Sequence, residues 1–229
     1  MLGAWHQALA HRPVSGTQFS YGFRPQDSAC QTPIRRVHRH QRRFPRHLNY
    51  LATAVMSRAS TSRPVEVLFL CTGNAARSVM AGVALEHRRP DLRVETAGTL
   101  SVDGLPISWR TRAALHDVGL PWPSHRSRQA ERAHFDTADL VIGLAPEHVA
   151  WVRREHPEVA DRTGTLVRLS RELPPPPAPL AERLAGIDLA AVSLEPWEEV
   201  VDPGGGEVEA FIACAREVVM LVDRLAEVI

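Results

Sequence analysis

Lysine is missing from this 229-residue chain, and all 27 of its basic residues are arginine. Arginine, alanine, proline and valine are abundant throughout, which reads as coding bias and carries no mechanistic weight. Long apolar runs are missing too. No stretch of 18 apolar residues occurs, so the sequence offers no membrane-spanning helix. Cysteine is scarce. Cys30, Cys71 and Cys214 are too few and too scattered for a disulfide framework, and no CxxC pair has zinc spacing. A reducing cytoplasm is the default setting for such a chain, and an isolated cysteine within a special loop becomes a candidate reactive thiol. What is present is ordinary: an apolar fraction of 44% suits a protein with a real core.

The net charge of +1 hides a division. Residues 1–63 carry ten arginines against the single acid Asp27, for +9, and residues 64–229 carry 17 arginines against 25 acids, for −8. The first segment has no apolar periodicity, and its run Arg35-Arg36-Val37-His38-Arg39-His40-Gln41-Arg42-Arg43 repels itself. It reads as a basic tail, either an upstream or processed leader with Met56 as the natural start, a transit peptide, or a nucleic-acid-binding arm. The first reading is preferred, because nothing else in the segment looks selected. Cys30, His38, His40 and His47 match no tight zinc pattern.

From Pro64 the texture changes. Val65–Leu70 reads as a buried strand and 77–89 as a helix stopped by Pro90. Leu92–Ala97 alternates as a second strand closed by Gly98. A helix over 107–118 ends at Gly119, and Asp139–Ile142 is a third strand followed by a helix over Pro146–Glu155. Thr165–Leu169 is assigned as a fourth strand, the run Pro174–Pro177 as a stiff loop, and 207–228 as a long apolar last helix. Alternating strands and helices imply an α/β domain over 64–229: a four-stranded parallel sheet with helices on both faces, and with ligands beyond the carboxyl ends of the strands.

The first strand runs straight into Cys71-Thr72-Gly73-Asn74-Ala75-Ala76-Arg77-Ser78, and a helix follows. Backbone N–H groups of such a loop can curl round a tetrahedral oxyanion, and the helix N-terminus adds a partial positive charge. Gly73 and Asn74 tolerate the positive φ that a curl demands. The same field favours thiolate at Cys71. Arg77 closes the ring with a planar fork that matches two phosphate oxygens, and Ser78 is placed to donate to the thiolate. A cysteine ending a buried strand is often only a small core hydrophobe. Gly-Asn and Arg-Ser in place around Cys71 argue for chemistry instead.

Cys71-Thr72-Gly73-Asn74 with Arg77-Ser78 resembles the signature loop of low-molecular-weight protein-tyrosine phosphatases. Thr96-Ala97-Gly98-Thr99, His125-Arg126-Ser127-Arg128-Gln129, Asp139-Leu140-Val141 and Val201-Asp202-Pro203 resemble later motifs of that family, in order, over residues 65–228. The resemblance implies hydrolysis of phosphate monoesters, protein phosphotyrosine or small aryl phosphates, with no metal or organic cofactor. It implies Cys71 as nucleophile, Thr72 through Ser78 with Arg77 as the phosphate site, and Asp202 as general acid and base. Glu198 and Glu199 are expected beside Asp202, helping it hold its proton by like-charge repulsion. Asp-Pro-Gly is also an ordinary surface turn; the upstream loop lifts Asp202 above that.

The sequence departs from the family in places. Ala76 stands where a second cysteine often precedes the arginine, and Val79 where proline is usual; Cys214 on the last helix reads as core. The slot positions Ala75, Val102, Gly204 and Gly205 are small or aliphatic where bulky or aromatic groups often stand, which weakens the case for tyrosine selectivity. The runner-up is a single-cysteine arsenate reductase using a small external thiol. A form with two further cysteines after the third strand is excluded, since residues 143–155 contain none. A non-catalytic phosphate-binding module is disfavoured because Cys71, Arg77 and Asp202 are all retained.

Overall fold

The computed structural model describes residues 63–229. The basic run and the Cys30/His38/His40/His47 set fall outside the described residues. Four parallel strands, β1 (Glu66–Cys71), β2 (Arg93–Gly98), β3 (Leu140–Gly143) and β4 (Thr163–Thr165), form one sheet in the order β2-β1-β3-β4. The helices are α1 (Arg77–Arg88), α2 (Trp109–Asp117), α3 (Arg132–Thr137), α4 (Pro146–Glu155), α5 (Leu166–Glu172), α6 (Leu180–Ala185) and α7 (Val208–Val228). None of the described helices is long and apolar enough to cross a membrane.

Both faces of the sheet are covered, and β1 shows why its sequence is apolar throughout. Val67, Phe69 and Cys71 point into a core built with α1, α2, α5 and α7. Leu68 and Leu70 point into a second core with Phe135 of α3 and Val152 of α4. The stripe Phe211, Cys214, Ala215, Val218, Leu221, Val222 and Leu225 of α7 repeats every three or four residues and is buried against the first core.

Local signals set most boundaries. Ser108 caps α2 by accepting from Thr111 N, and Gly119 leaves that helix at φ +72°. One expectation is overturned. The fourth strand is only Thr163–Thr165, and the apolar run after it is α5. The Thr165 side chain accepts from Arg168 N and caps that helix, while Leu166, Val167 and Leu169 are all buried. A helix whose first turn is buried on all sides shows the same short apolar run as a buried strand. Helices α3 and α6 escape the sequence reading because both are short; α3 begins at a capping box between Glu131 and His134.

Candidate active site

Cys71 ends β1 opposite Gly98 of β2 and is 3% exposed. The chain then turns through residues 72–76 into α1, and the loop is held from three sides. Thr99 N donates to Cys71 O at 2.9 Å and Leu100 N to Thr72 O at 3.0 Å. Thr111 Oγ1 donates to Ala75 O at 3.0 Å. His125 Nε2 lies 2.7 Å from Asn74 O, and since a carbonyl only accepts, this nitrogen carries the proton. Burial pushes the His125 pKa down; the Asn74 bond partly opposes this and the Arg128 charge adds to it.

Asn74 is wholly buried at φ +49°, the left-handed conformation expected of the loop. Gly73 is not among the described glycines with positive φ, so Asn74 alone makes that turn. The Asn74 side chain organises the thiol. Its Oδ1 accepts from Arg128 N at 3.1 Å and its Nδ2 donates to Ser78 Oγ at 3.1 Å. Ser78 Oγ lies 3.0 Å from Cys71 Sγ. With a lone pair of Ser78 already taken by Asn74, its proton is free to point at the sulfur.

Arg77 is 3% exposed. Its Nη1 donates to Val200 O at 3.2 Å and its Nη2 to Asp202 Oδ2 at 2.6 Å. Asp202 itself is half exposed, and its Oδ1 accepts from Gly204 N at 2.9 Å, a tight local turn. Cys71, Arg77 and Asp202 therefore line one cavity of about 250 Å³. Ala75 and Gly204 line it; Val102 and Gly205 do not. Val102 is 68% exposed on the loop after β2. Ser108, Thr111 and Phe211 complete the wall. The slot thus has one aromatic face, from α7, which the sequence reading missed because α7 is distant in sequence and Phe211 belongs equally to the core stripe.

His148 was also invisible in the sequence. It lies on α4, is 1% exposed, and its Nε2 is 3.1 Å from Thr72 Oγ1. Burial, with Arg77 second, pushes its pKa down to about 4, so it is neutral at pH 7. Glu198 does not act as the free like charge beside Asp202 that the sequence suggests. It is fully buried and bound by Arg168 and Thr165, so its charge is spent on a cation and cannot act as a free like charge. Burial pushes the Cys214 thiol up to about 12, which fits a core cysteine.

Residues 66–172 match the family model for low molecular weight phosphotyrosine protein phosphatase. A protein-arginine-phosphatase of Geobacillus stearothermophilus is 31% identical over 165 residues, spanning 72% of this chain and 95% of the relative. The chain belongs to the low molecular weight protein-tyrosine phosphatase family. A family member from Streptomyces coelicolor, a low molecular weight protein-tyrosine-phosphatase, is 32% identical over 159 residues, covering 66% of this chain and 85% of the relative. Among solved structures, the YwlE arginine phosphatase from G. stearothermophilus superposes with a TM-score of 0.58 at 30% identity, covering 72% of this chain and 92% of that one. The family fold accounts for the parallel sheet with its loop after β1, and the family model and both relatives are named as protein phosphatases.

Proposed function

We propose that this phosphatase hydrolyses phosphorylated protein side chains, phosphotyrosine among them, through a cysteinyl-phosphate on Cys71. The observation that carries the reading is the convergence of the Cys71 sulfur, its Ser78 donor at 3.0 Å and the Arg77–Asp202 pair at 2.6 Å on one cavity. Loop amides and Arg77 hold the phosphate. A phosphate that takes Arg77 Nη2 displaces the Asp202 carboxylate toward the mouth, where the leaving atom sits. The Cys71 thiolate attacks phosphorus, the P–O bond to the leaving group breaks, and Asp202 passes a proton to the departing oxygen. Asp202, now ionised, takes a proton from the water that attacks the cysteinyl-phosphate. The S–P bond breaks, inorganic phosphate leaves, and the Ser78 hydroxyl stabilises the returning thiolate.

A second substrate, phosphoarginine, is favoured by the walls. Ala75, Ser108, Thr111 and Gly204 are small or polar, and the Asp202 carboxylate at the mouth already accepts from one guanidinium, that of Arg77. The similarity to a protein-arginine-phosphatase over 95% of that relative's length points the same way. A steady-state panel of phosphotyrosine, phosphoarginine and phosphoserine peptides tests both readings. Turnover of the first or second is expected, with an alkali-stable phosphoenzyme that Cys71→Ala lacks. Reduction of arsenate with a small thiol, and no hydrolysis of any phosphopeptide, would overturn the proposal.

A further inference from the structure

Glu198 is the carboxylate near the site that the reaction leaves unused, and it is 0% exposed. It ends the short 3-10 turn Pro196–Glu198, four residues before Asp202. Both its oxygens are saturated. Oε2 accepts from Thr165 Oγ1 at 2.6 Å and Arg168 Nε at 3.0 Å; Oε1 accepts from Arg168 Nη2 at 2.6 Å and Glu195 N at 2.8 Å. Burial alone would raise the Glu198 pKa, but these donors together hold it below the ordinary carboxylate value. Arg168 also donates to Ser193 O at 2.9 Å, and its guanidinium lies 5.1 Å from the Trp197 ring centre, with Arg171 at 4.7 Å. The segment 193–198 is thus fastened to the corner where β4 becomes α5.

A buried ion pair of this kind is seldom the most stable filling for its volume; apolar side chains often serve as well or better. Its use lies in fixing position. Two residues beyond Glu198, Val200 is fully buried, with its N bound to Leu144 O at 2.9 Å and its O receiving Arg77 Nη1 at 3.2 Å. Two residues further, Asp202 meets Arg77 Nη2 at 2.6 Å. Two residues span at most about 7 Å, so there is little slack between Glu198 and the Val200 carbonyl that holds Arg77, and Val200, pinned at both N and O, carries the constraint on toward Asp202.

We infer that the buried Arg168–Glu198 pair is a positioning device for phosphoryl transfer, setting the strap whose Val200 carbonyl orients Arg77 and whose Asp202 reaches the leaving group. Neither Arg168 nor Glu198 touches substrate. The inference rests on the cysteine-phosphatase reading above.

The test uses Glu198→Gln and the double variant Arg168→Met/Glu198→Gln, which leaves no charge of the pair unmatched. Three quantities are read in the full chain: the kcat ratio of phenyl phosphate to 4-nitrophenyl phosphate, affinity for inorganic phosphate, and melting temperature. In Glu198→Gln, kcat on phenyl phosphate is expected to fall about tenfold or more, since small misplacements of a catalytic group cost that much. The nitrophenyl ester needs little acid help and is expected to fall far less. Phosphate affinity falls several-fold as Arg77 loses its bearing. The double variant regains melting temperature but neither the ratio nor the affinity, and carries the test alone if the single variant does not fold. An unchanged ratio and affinity in either folded variant, or their return together with stability in the double variant, would overturn the inference. If the parent protein hydrolyses neither ester, the activity reading fails on its own, and the phosphate-affinity arm still decides the positioning role of the pair.

Discussion

Adding one methyl group at Gly98 tests whether the loop geometry makes the catalyst. An alanine Cβ there would lie 2.6 Å from Thr72 O, 2.8 Å from Ser101 Cβ and 3.1 Å from Asn74 N. Real Cβ contacts do not come under 3.0 Å, so Thr72 O must separate from it by at least about 0.4 Å more. Gly98 cannot retreat. Its N donates to Arg128 O at 2.9 Å, its O accepts from Ala130 N at 2.7 Å, and it pairs with Cys71 in the sheet. The displacement therefore falls on the loop after β1. Overpacking of this kind costs about 1–3 kcal/mol of stability. A displacement approaching 1 Å at a reacting centre costs about 100-fold, so Gly98→Ala is expected to lose roughly tenfold to 100-fold in kcat/KM on 4-nitrophenyl phosphate. Phosphate affinity should fall with it, because the moved carbonyl and amide border the cradle. Gly186→Ala is the control. Its Cβ would meet nothing nearer than 3.4 Å, its φ is −68°, and activity should be unaltered. Full kcat/KM and phosphate affinity in Gly98→Ala would refute the reasoning.

Three other outcomes are expected. Cys71→Ser should abolish turnover while inorganic phosphate still binds, because the amides and Arg77 remain; calorimetry and a phosphatase assay read the two separately. Asp202→Asn should slow phenyl phosphate by about 10²–10⁴-fold and nitrophenyl phosphate much less, whereas equal losses would leave Asp202 only a positional role. His148 predicts a pH dependence of stability. Its folded pKa of about 4 lies below the ordinary 6.5, so under pH 6.5 the unfolded chain gains a proton that the folded protein refuses. Stability is therefore complete above pH 6.5 and is lost as pH falls toward 4, by up to about 3 kcal/mol. Urea unfolding across that range should show a steeper decline for the parent than for His148→Asn, and matching slopes would exclude His148 as the source.

Some of this protein is written in contiguous residues. The run Glu66–Cys71 is apolar enough to be buried on both faces, and the loop after it holds the groups of the proposed chemistry within eight positions, Cys71 to Ser78. The asparagine that takes positive φ, the arginine opening α1 and the serine beside the thiol are local features, so their spacing is legible without a fold. Asp202 is legible only through family resemblance, since Asp-Pro-Gly alone is a turn. The tertiary structure decides what lies between distant segments. His148, Thr111 and His125 reach the loop from α4, α2 and the segment before α3, and a lone histidine or threonine leaves no periodic trace in sequence. Phe211 becomes a slot wall only because α7 packs across α1 and α2. Glu198 reads as a surface acid beside Glu199 until Arg168 and Thr165 arrive from 30 and 33 residues away to neutralise and bury it. The fate of Thr165–Leu169 is decided in the same way. The residues suit strand or helix equally, and the choice falls to helix because Thr165 caps the turn while Leu166, Val167 and Leu169 fill the space beneath α7.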